Sequence, residues 1–222
     1  NMHYSQINLV EIKDKIKNKI KSLKITEYNP KIIAVSKTFH EKDILPLLND
    51  EHCHFGENKV QEALLKWTKL KEKYEKVELH MLGKLQTNKV KHAVEIFDYI
   101  HSLDNLKLAN KLADEISKKG KNIKMFIQIN LGGEKQKSGI DPSELEQFYR
   151  ECCNLNLNII GTMCIPPEIE DPKSYFKKLL ELNEMIGLGE ISMGMTKDYL
   201  EALEYKATFL RIGSGIFGQR SS

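Results

Sequence analysis

Eight short runs of β-forming residues set the tightest limit on what this chain can fold into, because a helical segment follows each of the first seven. The runs lie at 32–35, 52–55, 77–82, 97–101, 123–130, 157–163, 190–193 and 208–212. Between them, helical patterns cover 41–48, 57–74, 88–95, 105–119, 141–153, 171–187 and 197–205. A further helix opens the chain, with Leu9, Ile12, Ile16, Ile20 and Leu23 at spacings of three and four. Local signals support these bounds. Asp141-Pro142 and Asp171-Pro172 are helix starts, and Gly120 is a helix stop. Strict alternation of strand and helix implies a parallel sheet, and eight units predict closure into a (β/α)₈ barrel. An open doubly wound sheet is the alternative, but no G-x-G-x-x-G follows the first strand.

The 222 residues fit one domain spanning 1–222, close to the minimum for a full barrel. With 41% hydrophobic residues a large core is available. The net charge of +3, from 34 basic and 31 acidic residues, gives no nucleic-acid or membrane signal. The many lysines read as a solvated surface. No apolar run is long enough to span a membrane, and no secretory leader is evident, so a cytoplasmic protein is expected. Asn1, ahead of Met2, is set aside as an appended residue. Cys53, Cys152, Cys153 and Cys164 form no C-x-x-C pair and are expected as thiols. His52-Cys53-His54 has no further ligands nearby, so no metal site is expected.

In a (β/α)₈ barrel, chemistry gathers at the C-terminal ends of the strands. Lys37 stands just past the first of them, on the same parity as Ile33 and Val35. If that parity faces the interior, its amine sits at the mouth of an apolar tube, where desolvation favours the neutral, nucleophilic form. Across the mouth, Gly213-Ser214-Gly215 follows the last strand, and Ser192 and Gly194 follow the seventh. Such backbone can hold a phosphate without a lysine cluster. Arg211 shares parity with Phe209 and Gly213, so it points inward and needs an acceptor. A pyridine nitrogen fits that need, and a carboxylate or carbonyl is the alternative.

At these residues the chain resembles the pyridoxal phosphate homeostasis protein family, relatives of the N-terminal barrel of alanine racemase. The matching segments include Ala34-Val35-Ser36-Lys37-Thr38, Phe55-Gly56-Glu57-Asn58 and Gly83-Lys84-Leu85-Gln86-Thr87-Asn88-Lys89. They continue with His101-Ser102-Leu103-Asp104, Lys137-Ser138-Gly139, Ile191-Ser192-Met193-Gly194-Met195 and the run from Arg211 to Arg220. Thr196 and Ser214-Gly215 depart from the usual residues but remain small or hydroxyl-bearing. Lys206 falls where glycine is common.

The resemblance implies pyridoxal 5′-phosphate carried as an aldimine on Lys37. It implies a ring-nitrogen contact from Arg211, phosphate contacts from Ser192, Gly213 and Ser214, and Asn58 near the ring hydroxyl. Lys137 is a candidate for a second cofactor site. The implied role is maintenance of vitamin B6 and of amino and keto acid balance without catalytic turnover, by a monomer whose partners extend to apo-enzymes that take up the cofactor. The chain ends just after the eighth strand, where an alanine racemase continues into a β-domain supplying a second acid/base, so low catalysis is expected. A cofactor-dependent amino-acid racemase and a cofactor-free Schiff-base aldolase stay open as alternatives.

Overall fold

The computed structural model describes residues 1–135 and 138–219. Its eight strands are β1 (Lys31–Val35), β2 (His54–Glu57), β3 (Glu78–Met81), β4 (Tyr99–Leu103), β5 (Lys124–Gln128), β6 (Asn158–Met163), β7 (Glu190–Ser192) and β8 (Phe209–Ile212). Each pairs in parallel with the next, and β8 pairs with β1, which closes the barrel. The helices are α1 (Tyr4–Leu23), α2 (Glu41–Asn49), α3 (Val60–Lys73), α4 (Val90–Ile96), α5 (Leu106–Lys119), α6 (Leu145–Asn154), α7 (Lys173–Met185), α8 (Tyr199–Leu203) and α9 (Ser214–Phe217). The (β/α)₈ architecture with an extra N-terminal helix is therefore the one the alternation predicts.

Period-two alternation sorts each strand between two cores. Ile33, Val35, Leu82, Tyr99, Phe126, Met163 and Phe209 pack together inside the barrel. Ile32 and Ala34, one residue out of step, join the larger layer between strands and helices. Trp67 of α3 and Phe176 of α7 are fully buried in that outer layer. Burying a large apolar side chain stabilises a fold by about 1.5–3 kcal/mol, so this layer carries much of the stability. Close approach also constrains the sheet at one point. Strand β5 shifts register against β6 between Met125 and Phe126, and a Cβ on Gly161 would collide with the Glu190 carbonyl.

Helix α1 lays Leu9, Ile12 and Ile16 against the body and packs on α2, α8 and α9. Asn8 Nδ2 donates to the Ile216 carbonyl at 2.9 Å, which ties α1 to α9. The capping signals act as expected. Gly120 ends α5 at φ 61°, and Asp141 accepts from the Ser143 amide at 2.9 Å.

Several elements differ from expectation. Strand β2 starts at His54 and runs through Glu57, so His52 lies ahead of it and only Asn58 lies past its end. Short 3₁₀ turns, Thr87–Lys89 and Pro142–Glu144, replace the first turns of two expected helices. The expected tail after β8 instead forms α9. Lys206 adopts φ 65°, the left-handed conformation that explains why glycine suits the turn before β8.

Candidate cofactor site

The C-terminal ends of β7, β8, β1 and β2 are consecutive around the barrel. They carry Ser192, then Arg211, Gly213 and Ser214, then Lys37, then Asn58. Pairing places Ile33 beside Arg211, and Val35 beside Gly56. A Cβ on Gly213 would lie 3.5 Å from Cβ of Val35, so the glycine sits against the strand end that leads to Lys37. Lys37 and Asn58 are half-buried, and Ser214 is exposed at the rim.

The segment bearing Lys37 is held by a side chain that sequence reasoning treats as surface. Lys66 of α3 is buried, and its ammonium donates to the Ser36 carbonyl at 2.7 Å and the Phe39 carbonyl at 3.0 Å. It thus clamps the chain on both sides of Lys37. Its charge is balanced by Glu57 and Glu62, each at 2.9 Å. Glu62 also accepts from the Thr38 amide, where φ is 67°. Glu57 is fully buried on the same hub. Its Oε2 accepts from Ser36 Oγ at 2.6 Å and from Trp67 Nε1 at 3.0 Å. Burial pushes its carboxyl above the usual range, against the downward pull of Lys66. Its Oε1 has no hydrogen-bond partner.

Arg211 points into the barrel as its parity predicts and is 4% exposed. It donates to Ser192 Oγ at 2.6 Å and to the Cys164 carbonyl at 2.9 Å. Arginine carries more N–H groups than those two bonds use, so donor capacity remains for a further acceptor. The same Ser192 hydroxyl lies 2.8 Å from Nδ1 of His101. Three histidines then continue down the interior. His101 Nε2 is 2.8 Å from His80 Nδ1, and His80 Nε2 is 2.9 Å from His54 Nδ1. Burial holds all three below the usual histidine range, His54 at about 4. Neighbouring positive charge adds to this, from Lys31 at His54 and from Arg211 at His101.

The rim on the β7 and β8 side is built from hydroxyls and glycines. Thr196 Oγ1 accepts from the Gly215 amide at 3.0 Å and lies 3.4 Å from Ser214 Oγ. Gly194 takes φ 98° where a Cβ would press on Ala202. Ser192 closes β7 just beneath this rim. Its hydroxyl is fully buried and engaged with Arg211 and His101, whereas Thr196 is the hydroxyl beside Ser214.

The structure thus brings Lys37, Asn58, Arg211, Gly213 and Ser214 to one mouth and sets Ser192 beneath them. Lys137 lies outside the described residues. Sequence reasoning missed Lys66, its ion pair with Glu57 and the histidine series. Among the described residues no group of three or more side chains could hold a metal ion, and no helix is long and apolar enough to cross a membrane.

Closed parallel barrel and one-sided mouth define a class, and comparison with known proteins gives it a name. The family described as alanine racemase, N-terminal domain, matches residues 12–221. A pyridoxal phosphate homeostasis protein of Aquifex aeolicus is 37% identical over 200 residues, covering 86% of this chain and 87% of the relative. The chain belongs to the pyridoxal phosphate homeostasis protein family, within the alanine racemase N-terminal class. PipY of Synechococcus elongatus, solved with pyridoxal phosphate bound, is 32% identical with a TM-score of 0.80, covering 91% of this chain and all of that one. An alanine racemase of Clostridium difficile shares the fold at TM-score 0.71 and 16% identity. It is matched over 99% of this chain and 57% of its own length. The homeostasis relatives are named for the cofactor's balance and not for a reaction.

Proposed function

We propose that this protein holds pyridoxal 5′-phosphate covalently through the Lys37 amine and helps maintain intracellular vitamin B6 and amino and keto acid balance. The observation that carries this is the convergence of Lys37, two residues past β1, with Arg211 on the adjacent β8 and Gly213 and Ser214 just past its end. Together with the PipY structure that contains the cofactor, it supports one shared site. The residues fit the group. A lysine clamped on either side by Lys66 supplies the amine. A buried guanidinium has donors to spare, and the rim offers the Thr196 and Ser214 hydroxyls to a phosphate.

When bound, the cofactor supplies an aldehyde that condenses with an amine and a ring that can accept electrons. Arg211 stays protonated, so toward a ring nitrogen it donates and cannot accept. It would keep that nitrogen unprotonated and the ring a weak electron sink, which favours carriage over turnover. Gly213 and the rim hydroxyls would orient the phosphate, with Asn58 on the ring-hydroxyl side. Apo-enzymes that use the cofactor are the recipients on this reading, and the carrier acts as a monomer in the cytoplasm.

Borohydride reduction of protein incubated with pyridoxal 5′-phosphate should place one pyridoxyl adduct on Lys37 by mass spectrometry. Lys37→Ala should lose both the adduct and the near-ultraviolet or visible band. An adduct elsewhere, or none, overturns the assignment. Robust turnover of any common amino acid would replace the carrier with a racemase.

A further inference from the structure

The interior polar series runs nearly the length of the barrel. It begins at Glu78, whose Oε2 lies 3.4 Å from His54 Nε2 at the N-terminal end. It continues through His54, His80 and His101 and reaches Ser192, where Arg211 donates. The links between the rings and to Ser192 span 2.8–2.9 Å. Each ring is also fixed by aromatic neighbours. His80 stacks on Tyr99 at 4.1 Å and 12°, and His101 stacks on Phe126 at 4.2 Å and 23°.

Donor and acceptor counts allow one direction only. A neutral imidazole gives one hydrogen bond and takes one, an ionised carboxylate only takes, and a guanidinium only gives. With Arg211 donating to Ser192, the serine proton passes to His101 Nδ1. His101 then donates from Nε2 to His80 and His80 from Nε2 to His54, which leaves the His54 Nε2 proton facing the Glu78 carboxylate at 3.4 Å. Reversal fails at both ends. It would set a bare His54 nitrogen against the Glu78 carboxylate, and it would leave the buried Ser192 hydroxyl proton without an acceptor.

We propose that Glu78, His54, His80, His101 and Ser192 form one hydrogen-bond relay of fixed polarity that positions Arg211 for the ring end of the cofactor. The cofactor half of this statement rests on the function proposed above. The relay is a positioning device and not a proton conduit. A proton moving inward would arrive beside a permanent positive charge at Arg211. Hydrogen bonds in series polarise one another, so the inner link gains from those behind it. His80 and His101 are positioning residues, since they reach the mouth only through Ser192 and Arg211.

Nitrogen-15 labelling of histidine in the full chain, read by long-range proton–nitrogen correlation at pH 7, tests the relay without cofactor. His54, His80 and His101 should all be neutral with the proton on Nε2. A proton on Nδ1 of any of them overturns the relay. Titrating pyridoxal 5′-phosphate into the unaltered protein should then move the His101 nitrogens, and their failure to move while cofactor binds overturns the positioning role. His80→Phe keeps a ring against Tyr99 but cuts two links. It should bind the cofactor at least about fivefold more weakly, with an altered absorbance band and the Lys37 adduct intact. Unchanged affinity and spectrum count against the proposal. If the unaltered protein binds no cofactor, the functional reading falls while the tautomers still decide the relay.

Discussion

Two buried polar networks meet the mouth of this barrel, and they handle charge in opposite ways. Outside the sheet, Lys66 gathers Glu57 and Glu62 into a charged hub that fixes the chain around Lys37. Inside the sheet, three histidines stay neutral and pass hydrogen bonds on from Ser192, which takes its own from Arg211. The hub lies next to the bulk of α3 and can place opposite charges within 2.9 Å. The barrel interior already contains one permanent cation in Arg211, so neutral donors that also accept are the economical lining. The two designs predict different failures. A hub breaks when one charge is left alone, whereas a neutral series weakens when acid adds a charge.

The largest expected effect comes from breaking the hub. Lys66→Met strands Glu57 in a fully buried place, with Oε1 already lacking a partner. Removing one member of a buried pair costs roughly 3–5 kcal/mol, and urea denaturation of Lys66→Met should show a loss of that size. Glu57→Gln added to it should recover part of the loss, because no charge then remains to be buried. A loss under about 1 kcal/mol would show that the hub does not depend on its charges.

Acid should separate the networks by sign. Burial and then Lys13 hold His52 at about 4, and burial, Lys31, His52 and Lys124 do the same for His54. The unfolded chain takes up these protons near pH 6.5, before the folded one does. Stability is therefore whole above about pH 6.5 and is lost as the pH falls toward 4. Glu57 works the other way, since a carboxyl pushed up by burial binds its proton in the folded state first. The melting temperature of His54→Gln should fall less between pH 7 and pH 5 than that of the unaltered protein. The corresponding difference in unfolding free energy should be on the order of 1 kcal/mol after allowance for the partial exposure of His54. Parallel profiles would remove His54 from the acid response.

The barrel was legible because periodicity alone separates strands from helices and inside from outside. Lys37 and Arg211 were placed by parity with Ile33, Val35 and Phe209, which do line the interior. The networks were not legible. Lys66 sits one position before Trp67 on α3, where a lysine between stripe residues reads as solvated, yet it is 9% exposed. A helix periodicity cannot tell a surface lysine from one that caps loop carbonyls across a layer. His80 stands two residues before Leu82, and His101 two after Tyr99, so their inward parity was available. What one-dimensional reading lacks is the stagger between neighbouring strands, which alone brings three separate histidines into register. The bonds that Ser192 makes to Arg211 and His101 were hidden for the same reason. A hydroxyl at a strand end is equally near the rim and the interior, and here Arg211 draws it inside.

A position outside both networks calibrates the other two tests. Lys206 holds φ 65° in the turn that leads to β8, the strand that carries Arg211. Its ammonium lies 3.9 Å from Glu184 with both side chains largely exposed, a contact worth little. A left-handed backbone costs a non-glycine residue roughly 1–2 kcal/mol, and glycine gives some of that back through its freer unfolded chain. Lys206→Gly should therefore stabilise the fold by about 0.5–1 kcal/mol in urea denaturation. It should leave the pH profile and the histidine tautomers where they were. A gain in stability that also moved those signals would mean that the β8 turn is coupled to the interior series. The networks could then no longer be treated as separate from the frame that holds them.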